Sequence, residues 1–149
     1  ALDRRQRQMC IRDSKNGVQT VLNPAPANKP TDVLLENTSW FIPNEVEFEE
    51  IYGEVFNEDN LLLFANDLKT NVVVTLGEKG CAYIKNNSVE IMNTDTVKAV
   101  DTTGAGDAFV GAFSFGVASK LEIEECLKLA LQKATDSVTK KGTQSSYKN

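Results

Sequence analysis

The sequence predicts an α/β fold, a mostly parallel sheet with flanking helices, and three observations carry that prediction. Val72-Val73-Val74-Thr75-Leu76 is a continuous, largely β-branched run, the pattern of a parallel strand covered on both faces. The segments around it alternate strand, helix, strand, helix, strand, which is the rhythm of right-handed βαβ crossovers. Finally, Ala99-Val100 leads out of a strand and through a glycine-containing turn into the small-residue apolar helix 108–117.

Composition narrows the function classes. The chain has 149 residues, 41% hydrophobic and 25% charged, enough for one domain with a core. A net charge of −5 and the lack of a basic run argue against a nucleic-acid surface. The longest apolar stretch, 108–118, is too short to span a bilayer. Cys10, Cys81 and Cys126 are odd in number and widely spaced, so neither a disulfide framework nor a zinc site is indicated. A soluble, cytoplasmic protein with no membrane partner is the expectation. Histidine is absent, which removes every mechanism that needs an imidazole. Acid–base work falls to carboxylates.

In chain order, residues 1–14 are basic and polar without a clear period and read as a flexible extension, with the domain proper over 15–149. Asn16-Gly17 resembles a helix C-cap, and residues 17–23 alternate toward a short strand. Pro24, Pro26 and Pro30 then impose a rigid loop. Residues 32–36 read as one or two helical turns, and Trp40-Phe41-Ile42 as a buried strand ended by Pro43. Asn44 with Glu47 three residues on is a capping-box arrangement, opening a helix that ends near Tyr52-Gly53. Apolar residues cluster over 61–68, giving a helix from about Asn57. Thr75 to Gly80 closes the next strand as a tight loop into a hairpin, 81–85 with 88–92, turning at Asn86-Asn87. Residues 122–138 form an amphipathic helix. Gly111, Ala112 and Gly116 would let the helix before it pack closely, with Phe109, Phe113 and Phe115 around it.

The stretch from Val100 to Phe109, V-D-T-T-G-A-G-D-A-F, carries the chemistry. Gly104 and Gly106 remove the Cβ atoms that would keep a ligand from backbone N–H groups, and a helix N-terminus presents unpaired donors there. An anion fits that place. Asp107 would repel a bound phosphate, and makes chemical sense if it takes a proton from a hydroxyl attacking that phosphate. On spacing alone, Asp107 equally complements the helix dipole, and Thr102 or Thr103 caps the helix. The P-loop string is missing, and the dinucleotide fingerprint fails because Phe109 occupies its third glycine position.

D-T-T-G-A-G-D-A-F resembles the C-terminal motif of the ribokinase-like (PfkB) carbohydrate kinases. The fold this implies is a Rossmann-type sheet. Asp107 matches the family's catalytic base and sugar contact, and the backbone of Gly104, Ala105 and Gly106 its anion hole. P-N-E-V-E is similar to the family's N-x-x-E motif, in which Asn44 meets the nucleotide phosphates and Glu47 acts on Mg²⁺ through water. T-L-G-E-K-G is similar to its nucleotide loop, placing Thr75, Leu76, Gly77, Glu78, Lys79 and Gly80 at the ATP site. N-P-A-P-A resembles a segment of the ribose-specific branch, as does G-T-Q-S-S-Y. There, Asp101, Thr103, Ser137, Lys140, Gly142 and Ser146 would surround a monovalent cation, K⁺ by the hardness of its oxygens.

The resemblance covers about the C-terminal half of a family member. The family's sugar-binding loops, glycine-pair motif and β lid have no match here, and Leu131 stands where an Asn or His near the adenine is common. The activity implied is Mg²⁺-dependent, ATP-driven phosphorylation of D-ribose, with ATP and the sugar as partners and this chain holding only part of the pocket. A fructokinase or adenosine kinase, or a non-catalytic ATP-binding piece, is the alternative. A homodimer is the expected assembly of the full-length protein.

Overall fold

The computed structural model describes residues 12–13, 15–24, 30–94 and 104–139. The chain divides into two compact units, Ala1–Leu76 with Ala82–Ile91, and Gly77–Cys81 with Met92–Asn149.

The first unit is built on three short parallel strands, β1 (Val21–Leu22), β2 (Trp40–Phe41) and β3 (Asn71–Thr75). Val21 stands opposite Trp40 and Leu22 opposite Phe41, while Trp40 and Phe41 face Asn71 and Val72. A five-stranded sheet runs in the order β1-β2-β3-β4-β5, its last two members being β4 (Cys81–Lys85) and β5 (Ser88–Met92). The five-residue link after β3 and the two-residue link after β4 are too short for parallel crossovers, so the sheet is mixed. Asn86 and Asn87 both take positive φ, 52° and 59°, as a tight hairpin turn requires.

Each helix in this unit starts on a cap that the sequence supplies. Thr31 Oγ1 accepts from the Leu34 N–H at 3.3 Å to open α1 (Asp32–Glu36). Asn44 opens α2 (Glu45–Tyr52), and Asn57 opens α3 (Glu58–Leu68) by accepting from the Asn60 N–H at 2.8 Å. Gly53 closes α2 in the left-handed region, its N–H donating to the Glu49 carbonyl at 2.8 Å. These helices bury Leu35, Phe48, Ile51, Leu61 and Phe64 against Phe41, Val72, Val74 and Ala82. Phe48 and Phe64 meet edge to face at 5.4 Å, a geometry that adds to the area they bury.

In the second unit α4 (Ala105–Ala118) packs on α5 (Ile123–Val138). A Cβ placed on Gly116 would lie 2.8 Å from Cys126 Sγ and 3.2 Å from its Cα, so glycine sets how closely the two helices approach. Phe109 and Phe113 are buried and stacked with centroids 6.4 Å apart.

Several expectations change. The strand expected over 17–23 is reduced to Val21–Leu22. At Thr20 the carbonyl still accepts from the Trp40 N–H at 2.9 Å, but its own N–H donates to Ser39 Oγ at 3.0 Å, and its Oγ1 accepts from the Ser39 N–H at 3.0 Å. Arg12 and Asp13, expected in an irregular extension, are helical, because the Asn16 N–H returns to the Arg12 carbonyl at 3.1 Å and Gly17 turns at φ 72°. Phe115 is 65% exposed, since it lies off the stripe shared by Phe109, Phe113 and Gly116. Gly111 is exposed and its missing Cβ would meet nothing within 4 Å, so it plays no part in close packing.

Candidate functional site

Asn44, Glu47 and Thr75 come together at the carboxyl ends of parallel strands, where open α/β sheets hold ligands. The Thr75 N–H donates to the Pro43 carbonyl at 2.9 Å, and Asn44 and Thr75 form a parallel bridge. The expected capping box is present in full. Asn44 Oδ1 accepts from the Glu47 N–H at 2.8 Å, Asn44 Nδ2 donates to Glu47 Oε1 at 2.8 Å, and the Asn44 backbone N–H donates to Oε2 at 3.3 Å. Burial pushes the Glu47 carboxyl above its ordinary value and the Glu50 charge adds to this, while the Asn44 N–H opposes it. Each Glu47 oxygen keeps acceptor capacity beyond its bond to Asn44. A single carboxylate held this way fits a cation that keeps its waters, the habit of Mg²⁺. Among the described residues no group of three or more Cys, Asp or Glu side chains could hold a metal directly.

The loop after β3 has two kinds of residue. Leu76 turns its side chain into the core, so a ligand there would meet only its backbone. Gly77–Lys79 form one 3₁₀ turn, closed by the Gly80 N–H donating to the Gly77 carbonyl at 3.1 Å, and Gly77, Glu78 and Lys79 are exposed. Gly80 has φ 100°, and its Cβ would lie 1.9 Å from the Met92 carbonyl oxygen. That glycine is required by a crossing of backbones, a reason sequence spacing does not reveal.

The start of α4 gathers Gly104, Ala105, Gly106 and Asp107. Gly104 occupies the N-cap position at φ 85° with no side-chain cap, and Thr102 and Thr103, expected as caps, lie outside the described residues. Its carbonyl accepts the first helical bond, from the Ala108 N–H at 2.9 Å. The N–H groups of Ala105, Gly106 and Asp107 precede that bond and have no acceptor within the helix. Gly106 is exposed with nothing within 4 Å of a Cβ, and Asp107 is exposed in the first turn. Amides without an acceptor in their own helix, a dipole end and a solvent-facing carboxylate can bind an anion and accept a proton beside it.

Of the expected monovalent-cation set, Asp101, Thr103, Lys140, Gly142 and Ser146 lie outside the described residues. Ser137 is buried and its hydroxyl donates to the Ala134 carbonyl at 2.7 Å, leaving its backbone carbonyl, one of the last in α5, as the available oxygen. Leu131 is buried and apolar. Sequence reasoning passed over Asn23, whose Oδ1 is buried without a hydrogen-bond partner at the end of β1. No helix among the described residues is long and apolar enough to cross a membrane.

Residues 6–149 match the family described as pfkB family carbohydrate kinase. The chain is 39% identical over 137 residues to the ribokinase of Haemophilus influenzae, covering 89% of this chain and 45% of that protein. It is 39% identical over 139 residues to the deoxyribokinase of Salmonella typhimurium, with 89% and 45% covered. It thus spans about half the length of the curated relatives it matches. Among solved structures, Arabidopsis thaliana ribokinase complexed with ribose and ATP superposes with a TM-score of 0.86 at 28% identity, over 97% of this chain and 49% of that one. Thermotoga maritima ribokinase gives 0.80 at 32% identity, over 91% and 48%. The α/β expectation therefore holds, and the chain belongs to the pfkB family of carbohydrate kinases.

Proposed function

We propose that this chain carries the nucleotide-binding and proton-accepting part of a kinase that transfers the γ-phosphoryl group of ATP to the primary hydroxyl of D-ribose. The observation that carries the reading is the uncapped, glycine-lined start of α4 with Asp107 exposed in its first turn. Asp107 takes the hydroxyl proton as the sugar oxygen attacks the γ-phosphorus. The bond from that phosphorus to the β–γ bridging oxygen breaks, and ADP leaves. The amides of Gly104, Ala105 and Gly106 hold the phosphoryl oxygens through the transfer. Thr75 to Gly80 serve the nucleotide.

Asn44 and Glu47 would hold Mg²⁺, which when bound neutralises charge on the phosphates. A K⁺ ion would be held by backbone oxygens near Ser137 and Lys140, with Asp101, Thr103, Gly142 and Ser146 around it. Cys81 and Cys126, both free and buried, are in keeping with a reducing cytoplasmic setting. A homodimer belongs to the full-length protein in this reading.

The 39% identity to a deoxyribokinase favours one second reading, with 2-deoxyribose as the sugar. A thermal-shift assay with Mg-ATP and a coupled ADP-release assay with ribose, 2-deoxyribose and fructose test both. Stabilisation by Mg-ATP with fastest release on ribose is expected. Faster release on 2-deoxyribose moves the assignment to that sugar, stabilisation without release leaves an ATP-binding piece, and no stabilisation overturns the ATP reading.

A further inference from the structure

The N-P-A-P-A stretch acquires no role from the site described above, yet its first residue holds the one buried side-chain oxygen or nitrogen without a partner among the described residues. Asn23 Oδ1 has neither solvent nor a hydrogen-bond donor. An amide oxygen in that state costs stability, and native structures keep few such atoms without a reason.

Its place suggests the reason. Leu22, Phe41 and Val72 stand in register and face the core, so alternation puts Asn23 on the opposite face of the sheet with Ile42 and Val73. Ile42 and Val73 are fully buried and apolar, and their side chains offer no donor. Along the strand direction, Asn44 lies one strand across and two residues beyond Asn23, about 8 Å by ordinary sheet spacing. Asn23 and Asn44 therefore stand at the same carboxyl ends of neighbouring strands. Phosphate oxygens bring no proton at neutral pH and cannot satisfy an amide oxygen. The waters of a hydrated divalent cation can, and they are strong donors.

We infer that Asn23 is a positioning residue for the cation end of the nucleotide, its Oδ1 gaining the missing hydrogen bond from a water carried by the cation when Mg-ATP binds. The inference rests on the ATP reading above. The unpaired oxygen is then a stability cost kept for binding.

Asn23→Leu, Asn23→Ala and Asn23→Asp, made in the full chain, test this by thermal shift against Mg²⁺ concentration at fixed ATP, with ATP plus EDTA as control. Asn23→Leu should melt no lower than the unmodified chain without ligand. Leu and Ala should raise the Mg²⁺ concentration for half-maximal stabilisation at least fivefold, leaving the EDTA control unchanged. Asp, which keeps an acceptor, should restore the midpoint. An unchanged Mg²⁺ midpoint overturns the inference while leaving ATP binding intact. Failure of both Leu and Ala to fold, or lower ligand-free melting in both, also overturns it by making the residue structural. If the unmodified chain itself is not stabilised by Mg-ATP, the ATP reading falls and this inference with it.

Discussion

Glu47 does two jobs with one side chain. Its carboxylate completes the α2 cap through both bonds from Asn44, and the same cap fixes it at the strand ends where a hydrated cation is proposed. Because burial and Glu50 raise its pKa, the folded state binds the proton more tightly than the unfolded chain does. The stability this brings is present below the ordinary glutamate value, about 4.3, and is lost as pH rises through the raised value. Glu47→Gln lacks that titration. The melting temperature of the unmodified chain should therefore lose ground to Glu47→Gln as pH rises through the weak-acid range, measured by thermal melts in matched buffers. A difference that moves the other way contradicts the assigned cause. The capping box was legible from the Asn44 and Glu47 spacing alone. The unpaired oxygen of Asn23 was not, because hydrogen-bond satisfaction depends on neighbours brought in by the register of β1 against β2.

At the scale of elements, the helices and the hairpin were readable because each carries its own punctuation. Gly53 ends α2, Asn57 starts α3, and Asn86-Asn87 make a turn with φ positive at both central residues. The short strands were less readable, since pairing across the sheet sets their ends, and side-chain bonds at Thr20 and Ser39 delay the start of β1. Glycines in α4 show the same limit. Gly111 and Gly116 look alike in sequence, but only Gly116 lies against Cys126. Gly111→Ala should stabilise the chain by about 0.5–1 kcal/mol through helix propensity. Gly116→Ala should destabilise it by about 1–2 kcal/mol, because the overlap with Cys126 exceeds that gain. Urea midpoints compare the two, and a stabilising Gly116→Ala would refute the close crossing of α4 and α5.

For the whole molecule, the sheet's strand ends carry Asn44, Glu47 and Thr75, and the start of α4 carries Gly104 to Asp107. These groups lie in the two different compact units, and the family motifs were legible because each is a short contiguous string with its own local geometry. The sugar pocket was not legible. The chain spans about half the length of its curated relatives, and Asp107 is the one sugar contact proposed here. Phosphoryl transfer depends on positioning and charge stabilisation, so turnover by this chain should be slow. The proposed proton acceptor can still be separated from the proposed ATP contacts. Asp107→Asn keeps the shape and the first-turn amides while removing the proposed base. The decisive measurement pairs ADP release on ribose with Mg-ATP thermal shift in the unmodified chain and Asp107→Asn. The account predicts that release falls at least a hundredfold with the thermal shift unchanged, and release that survives the substitution, or parallel loss of both, would contradict it.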